Sequence, residues 1–118
     1  MIIPDDAKRI IEGNPVALAT VNGEGSPHVI AVAFVKVVDG KLVITDNYME
    51  TTISNILETP NVALAAWDKD WEGYRIEGTA EHHTSGEWLE FAKGLEGNKG
   101  EPCKGAVVVT PTLIKKLA

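Results

Sequence analysis

The segment VALATVNGEGSPHVIAVAFVKVVDGKLVITDNYMETTISN, Val16 to Asn55, decides the fold of this chain. Its apolar runs predict three strands, at Val16–Val21, Val29–Val38 and Lys41–Thr45. Asp39-Gly40, between the last two strands, is a strong signal for a two-residue hairpin turn. The pattern then changes to that of a helix, which begins at Thr51-Thr52. Because the N–H groups of a first helical turn point outward and can bind phosphate, this junction is the first place to look for a ligand.

The composition is that of an ordinary globular protein, which we expect to form one domain over residues 1–118. Its net charge of −6 argues against nucleic acid and anionic membranes as partners, because both attract basic surfaces. Cys103 is the only cysteine, which excludes an intrachain disulfide and a cysteine-rich zinc site. The start MIIPDDAK does not resemble a signal peptide, and the longest apolar run, Val29–Val35, is too short to span a membrane. We therefore expect a cytoplasmic protein.

The remaining segments add two helices and three strands to this pattern. Helices are predicted at Pro4–Glu12 and Glu87–Leu95, the latter capped by Thr84 or Ser85, and Thr59-Pro60 closes the helix that begins at Thr51. Strands are predicted at Val62–Trp67, Gly73–His83 and Ala106–Thr110, with a short turn of helix after Pro111 and a mobile loop at Glu96–Lys104. The order α-β-β-β-α-β-β-α-β predicts an α+β, mainly β protein: an antiparallel barrel of six strands decorated by helices.

The second predicted strand is apolar on both faces, whereas a strand with one solvated face would alternate. Its side chains would divide between one face, formed by Val29, Ala31, Ala33, Val35 and Val37, and another, formed by Ile30, Val32 and Phe34. One face can cover the core of the barrel. The other must then meet a second subunit or a flat ligand.

Five segments of the chain, in this order, resemble the pyridoxamine 5′-phosphate oxidase-like family of FMN-binding split barrels, and most of all its small single-domain FMN-binding proteins. They are ALATVNGEGSPHV (Ala17–Val29), VVDGKLVIT (Val37–Thr45), TISNILETPNVAL (Thr52–Leu64), GYRIEGTAEHHTSG (Gly73–Gly86) and GAVVVTPTLIKKL (Gly105–Leu117). The resemblance implies a six-stranded antiparallel split barrel that forms a homodimer through a sheet face. It also implies FMN in a cleft between the subunits, with its phosphate near the start of the helix after the third strand.

Carried onto this sequence, the resemblance implies a set of cofactor-binding residues around that helix start and on the second strand. They are Ala31, Val32, Ala33, Thr45, Asp46, Asn47, Met49, Glu50, Thr51, Thr52 and Asn55. Family members that bind FMN tightly usually have a lysine near the position of Thr51 or Thr52, and FMN-binding proteins have polar and aromatic residues where this chain has Ala31 to Ala33. We therefore expect FMN binding weaker than in a relative that has the lysine. Candidate cations for the phosphate are Lys36, Lys41 and Arg75.

The functional hypothesis is an FMN-dependent oxidoreductase or electron carrier. The sequence contains no Ser/His/Asp set, P-loop or paired carboxylates, so a cofactor would have to supply the reactivity, and no catalytic residue can be named. Oxidation of pyridoxamine phosphate itself is disfavoured, because this acidic chain lacks an evident second basic site. Two alternatives stay open: a non-catalytic split barrel that has lost FMN and binds another small molecule, and a relative that uses a deazaflavin in the same groove.

Several of these residues also have a purely structural interpretation. Thr51 and Thr52 could be helix N-caps, Asn47 could serve a turn, and Asn55 could tie the helix to a neighbouring segment. Trp67 is interpreted as packing in a core or a dimer interface rather than against a flavin ring.

The histidines and the cysteine favour a structural interpretation over a chemical one. His28 stands beside the start of the second strand and could reach a ligand, but after Pro27 it is interpreted as a surface residue. His82 and His83 are neighbours on a strand and point to opposite faces, so we expect no metal site there. Cys103 has no evident base partner, which argues against nucleophilic catalysis.

Overall fold

The computed structural model describes residues 1–117 and contains three helices and seven strands. The helices are α1 (Asp5–Gly13), α2 (Thr51–Glu58) and α3 (Glu87–Lys93), with a 3-10 turn at Glu96–Asn98. The strands are β1 (Val16–Val21), β2 (Pro27–Val32), β3 (Val35–Val38), β4 (Lys41–Asp46), β5 (Asn61–Trp67), β6 (Gly73–His83) and β7 (Gly105–Lys116). They form one antiparallel sheet in the order β2-β1-β5-β6-β7-β4-β3.

The sheet curls into a half-barrel because its two edge strands are joined directly. β2 and β3 lie at opposite edges, yet only Ala33 and Phe34 separate them along the chain. The inside of the curl is filled by side chains such as Leu18, Ile44 and Ile76, which are fully buried. Burying a side chain of this size contributes about 1.5–3 kcal/mol to folding. The α+β architecture and the split-barrel fold are therefore as predicted, with seven strands in place of six.

The prediction of one continuous strand over Val29–Val38 was wrong. The chain bends at Ala33, and β3 begins only at Val35. The bend has a topological cause: a single straight strand cannot end one edge of a curled sheet and begin the other. The seventh strand of the sheet is the result of this break.

The bend also overturns the predicted division of side chains between two faces. Val29 and Ala31 point outward, as the exposed positions of β2, whereas Val35 is buried in the core and Val37 packs against it. Two residues that belong to neither strand reset the alternation, so the valines before and after the bend face opposite ways. A shared face from Val29 to Val37 does not exist.

The last strand also differs from its prediction. β7 runs through Pro111 to Lys116, so the short helix expected after Pro111 is absent and the strand prediction of Ala106–Thr110 was too short. Pro111 is tolerated because it lies opposite Gly78, at an irregularity in the ladder where a missing N–H costs little. Gly78 is required there, since a Cβ would collide with the carbonyl oxygen of Thr110.

Helix starts were predicted well and helix caps poorly. α2 begins at Thr51 as predicted, but its N-cap is Glu50, without a side-chain hydrogen bond. α3 begins at Glu87, but Gly86, with φ of 88°, is its N-cap in place of Thr84 or Ser85. The predicted hairpin turn at Asp39-Gly40 is confirmed by positive φ angles of 51° and 75°, typical of a type I′ turn.

The helices cover both faces of the sheet. α1 and α2 pack against the inside of the curl, where Ile10, Ile11 and Ile56 join the main core. α3 packs against β4 and β7, where Ala92 meets Val43 and Ala106 in a separate small cluster. Within residues 1–117, no helix has the length and apolar character that a membrane span requires.

Candidate functional site

A cleft of about 430 Å³ lies where the β2–β3 bend, the end of β4 and the start of α2 meet. Its volume is in the range of small-molecule sites, roughly 300–1,000 Å³. Part of its wall is apolar and comes from Ile30, Val32 and Phe34, and the polar part, the polar wall, comes from the end of β4, the loop after it and the start of α2. The junction singled out from the sequence therefore lies beside a real cavity.

The polar wall contains two threonines that expose little surface and whose hydroxyls have no protein partner among residues 1–117. Thr52 is 1% exposed and Thr45 is 8% exposed, and both line the cleft. Neither hydroxyl hydrogen-bonds to another residue in positions 1–117, and neither oxygen is fully buried. A hydroxyl has one donor and two acceptor lone pairs, so these two groups are available to hydrogen-bond a ligand in the cleft.

The start of α2 adds backbone donors next to these hydroxyls. The first hydrogen bond back to the cap runs from the Ser54 amide to the Glu50 carbonyl, at 3.0 Å. The amides of Thr51, Thr52 and Ile53 therefore precede the helical ladder. Thr51 and Thr52 are the first two residues of the helix and not its caps, so the N-cap interpretation is wrong for both.

Asp46 supports this wall from behind rather than lining it. Its carboxylate is fully buried, with Oδ2 2.8 Å from His82 Nε2 and Oδ1 accepting the Met49 amide at 3.0 Å. Lys104 Nζ donates to the Met49 carbonyl at 2.6 Å and lies 3.7 Å from Asp46 Oδ1. Gly105 makes room for this network, because a Cβ there would crowd His82. The network fixes the loop that leads into α2.

Nine of the eleven residues implied by the resemblance line the cleft. They are Ala31, Val32, Ala33, Thr45, Asn47, Met49, Glu50, Thr51 and Thr52. The other two lie outside it: Asp46 in the network above, and Asn55, whose Nδ2 donates to Thr20 Oγ1 on β1 at 3.0 Å. Asn55 thus ties α2 to the sheet, which agrees with its structural interpretation.

Five lining residues were not among those the resemblance implied: His28, Ile30, Phe34, Tyr48 and Asn98. The strand alternation contained a signal for the first two, because His28 and Ile30 share the side of β2 on which Val32 lies. No local signal pointed to Asn98. It comes from the segment after α3, which was predicted to be only a mobile loop, yet the residue is 5% exposed.

That segment closes one end of the cleft through contacts with the loop after β4. The side-chain amides of Asn47 and Asn98 hydrogen-bond reciprocally, and the Tyr48 hydroxyl donates to Glu101 Oε2 at 2.7 Å. This hydrogen bond to a carboxylate raises the pKa of Tyr48 above its ordinary value of 10.0.

The cleft is poor in positive charge. Among residues 1–117, no lysine or arginine lines it, and Glu50 is its one carboxylate. Of the candidate cations, Lys41 donates to Thr110 Oγ1 at 2.8 Å and Arg75 pairs with Glu77, both away from the cleft. Lys36 lies on β3 and does not line the cleft either.

A second cavity of about 410 Å³ lies on the outer face of β1 and β2 and is almost entirely apolar. We call it the outer groove; its lining residues are Pro15, Val16, Ala17, Val29, Ile30, Ala31 and Trp67. Ile30 and Ala31 line both the cleft and the outer groove, so the two cavities adjoin across strand β2. Trp67 is 38% exposed in this groove and does not line the cleft.

His82 and His83 have different surroundings. His82 pairs with Asp46, whereas His83 Nε2 is buried without a hydrogen bond and lies 3.5 Å from Glu81 Oε1, outside bonding geometry. In the described chain, no three His, Cys, Asp or Glu side chains are grouped as metal ligands.

Comparison with known proteins places this fold and cleft in a family. The family model of pyridoxamine 5′-phosphate oxidase matches residues 3–117. An uncharacterized protein of Methanocaldococcus jannaschii is 35% identical over 120 residues, covering 98% of this chain and 80% of that protein. The structure of HupZ from Group A Streptococcus matches with a TM-score of 0.90 at 25% identity, covering 98% of this chain and 94% of that one. An FMN-binding protein from Syntrophomonas wolfei shares the fold, with a TM-score of 0.82 at 18% identity, covering 95% of this chain and 84% of that one.

The family match spans the chain from the start of α1 to the end of β7, so it agrees with the whole sheet and not only with the site. The resemblance read from the sequence is confirmed. The chain belongs to the pyridoxamine 5′-phosphate oxidase-like family of FMN-binding split barrels.

Proposed function

We propose that this protein binds FMN in the cleft and acts as a flavin-dependent oxidoreductase or electron carrier. The observation that carries the proposal is the pair of hydroxyls without protein partners, on the little-exposed Thr45 and Thr52, beside the amides of the first turn of α2. Such a cluster of donors suits a phosphate group. The apolar wall formed by Ile30, Val32 and Phe34 suits a flat aromatic ring.

Different residues of the cleft would bind the phosphate and the ring of FMN. The phosphate would be held by the hydroxyls and amides at the start of α2, and Ile30, Val32 and Phe34 would contact the ring and exclude water. When bound, FMN supplies the capacity to accept and release electrons, which no side chain of the cleft has. The helix dipole adds only about 0.3–1 kcal/mol, and Glu50 opposes it, so we expect weaker binding than with a lysine at this position.

The proposal includes a homodimer that uses the outer groove. Val29 is 64% exposed there, next to Trp67 and a row of small apolar residues. An exposed apolar patch of this kind is typical of an interface. A second copy seated on the groove would reach Ile30 and Ala31, which also line the cleft, so the cofactor would lie beside the subunit interface.

The shortage of cations favours a second candidate, a split barrel that binds a less anionic small molecule without catalysis. In positions 1–117, no lysine or arginine lines the cleft to balance a phosphate charge near −2. A deazaflavin would use the same apolar wall and stays a further alternative.

Titration of the purified protein with FMN and with riboflavin, followed by flavin fluorescence, tests the proposal. We expect FMN to bind more tightly than riboflavin, because only FMN carries the phosphate. Thr52→Val should weaken FMN binding at least tenfold and riboflavin binding little, since a hydrogen bond to a charged group contributes about 1.5–3 kcal/mol. Thr79→Val, on the exposed side of β6, is the matched control and should change neither.

Two results would contradict the proposal in different ways. A protein that refuses both flavins at millimolar concentration would eliminate FMN and leave the non-catalytic alternative. Equal affinity for FMN and riboflavin would show that the start of α2 does not bind phosphate. A nanomolar affinity for FMN would contradict only the expectation of weak binding.

A further inference from the structure

The end of the cleft formed by Asn47 and Asn98 has a hydrogen-bonding pattern of its own. Asn98 is 5% exposed and lines the cleft together with Asn47, the second residue after Thr45. Asn47 Nδ2 donates to Asn98 Oδ1 at 2.7 Å, and Asn98 Nδ2 donates to Asn47 Oδ1 at 3.0 Å. The two amides thus form a closed ring of two hydrogen bonds.

This pairing leaves half of each amide unused. A side-chain amide has two N–H donors and two lone pairs on its oxygen, and the reciprocal pair uses one of each. At either end of the pair, a remaining N–H therefore lies beside a remaining lone pair, on atoms 2.7 or 3.0 Å apart. Rotating both amides by half a turn exchanges donor and acceptor but leaves one of each at both ends.

The pair is not needed merely to hold the segment after α3 against the loop after β4. The Tyr48 hydroxyl bonded to Glu101 and the Lys104 ammonium bonded to the Met49 carbonyl already join them. Two amides that line a cavity, with unused donors and acceptors, have a second purpose available: they can recognise a ligand. A buried group built to hydrogen-bond a ligand also discriminates against one that lacks the matching group.

We propose that Asn47 and Asn98 together recognise the edge of a heterocycle in which a ring N–H adjoins a ring carbonyl, as in a lactam or an imide. Such an edge matches the donor and acceptor that the pair presents side by side. The inference rests on the proposed function, where this edge is the imide of the flavin ring. In this proposal the Asn47–Asn98 pair selects the ring of the ligand, and the start of α2 binds the phosphate.

The test compares FMN with FMN that carries a methyl group on the imide nitrogen, which removes the N–H and leaves the phosphate intact. The wild-type protein should bind FMN about tenfold more tightly than the methylated analogue, the effect expected for one lost hydrogen bond. Asn98→Leu should weaken FMN binding by a similar factor and bind the two ligands equally. Fluorescence titration measures all four dissociation constants.

Two further variants separate recognition from structural support. Tyr48→Phe removes the bond to Glu101 without changing the amides, and should keep the tenfold preference for FMN. Asn98→Asp retains the size of the side chain and an oxygen acceptor for the imide N–H, so it should keep the preference for FMN over the methylated analogue and serves as a second variant where Asn98→Leu fails to fold.

The outcomes are distinct. Wild-type protein that binds both ligands with equal affinity overturns the inference and leaves the proposed function standing. The inference also falls if Asn98→Asp loses the wild-type preference, or if Asn98→Leu weakens both ligands by the same factor, because the amide oxygens would then not accept the imide N–H. Wild-type protein that binds neither ligand overturns the proposed function and this inference together.

Discussion

β2 and β3 come from one apolar run of the sequence but have opposite surroundings. Val29, on β2, is 64% exposed in the outer groove, whereas Val35, on β3, is 2% exposed in the core. The two valines are chemically identical and six positions apart, a spacing that would place them on the same face of a continuous strand. The bend at Ala33 separates them.

The difference shows that an apolar strand residue can have two purposes that hydrophobicity alone does not distinguish. Val35 contributes to the folding of the single chain. Val29 lies outside the core, and its exposure in the outer groove agrees with the proposed dimer interface. A charged substitution at Val35 should therefore reduce folding stability, whereas one at Val29 should affect dimerisation.

The largest effect is expected from Val35→Glu. A carboxylate at this buried position would lose its hydration without gaining a partner, so we expect a loss of more than about 3 kcal/mol in the free energy of unfolding. Urea denaturation followed by circular dichroism measures it. A variant as stable as the wild type would contradict the placement of β3 in the core.

Val29→Glu is the counterpart and should leave the fold intact. The charge would lie in the outer groove, where it is solvated in a monomer and buried against a second copy. We expect an unfolding free energy within about 0.5 kcal/mol of the wild type, as for other surface substitutions, and a shift from dimer to monomer in sedimentation. Thr79→Glu, exposed on β6 outside the groove, should stay dimeric. A Val29→Glu protein that stays dimeric would place the interface elsewhere.

The bend between the two strands can be tested through Gly97. The ring of Phe34 packs directly on Gly97, and a Cβ at this position would collide with the ring. Gly97→Ala should therefore destabilise the protein by about 1–3 kcal/mol, the usual cost of overpacking, and weaken FMN binding because Phe34 lines the cleft. Gly94→Ala, where a Cβ meets only ordinary contacts, is the control for a glycine of the same region. If both variants behaved alike, the bend would not depend on this contact.

Much of the fold was predictable from the sequence because its signals are local. The hairpin at Asp39-Gly40 and the strand Gly73–His83 were predicted with the correct bounds, since turn residues and alternation report on adjacent positions. The bend at Ala33 was not predictable in this way. It is imposed by the closure of the sheet, which joins two edges that are distant in the strand order.

The residues of the candidate site also fall into two groups: those that local sequence signals indicate and those that only the fold brings together. The polar wall follows from β4 and the start of α2, which are close in sequence, and nearly all of its residues were implied by the resemblance. Asn98 lies 51 positions from its partner Asn47, and only the folded chain brings them together. Within residues 1–117 the cleft has no lysine or arginine, which could not be read from the sequence because Lys36, Lys41 and Arg75 were all candidates.

The smallest expected effect concerns Tyr48, in the loop after β4 that lines the cleft. The Glu101 carboxylate accepts the hydroxyl proton in a hydrogen bond and repels the phenolate, so it raises the pKa of Tyr48 above 10.0. Glu101→Gln removes the negative charge but keeps an acceptor, and should lower the pKa of Tyr48 toward that ordinary value. A pH titration of phenolate absorbance, with Tyr48→Phe subtracted to remove the signal of Tyr74, measures the shift.

The sign of the accompanying change in stability follows from the direction of that shift. A pKa that is higher in the folded protein than in the unfolded chain means that folding favours the protonated hydroxyl. The stabilising effect of the Tyr48–Glu101 bond is therefore complete below pH 10 and is lost as the pH rises through the raised pKa. Because both side chains are exposed, the effect is small, and it should disappear in Glu101→Gln while the contrast between Val29 and Val35 is unchanged. If Glu101→Gln left the pKa of Tyr48 unchanged, the closure of the cleft by the segment after α3 would depend on the Asn47–Asn98 pair and Lys104 alone.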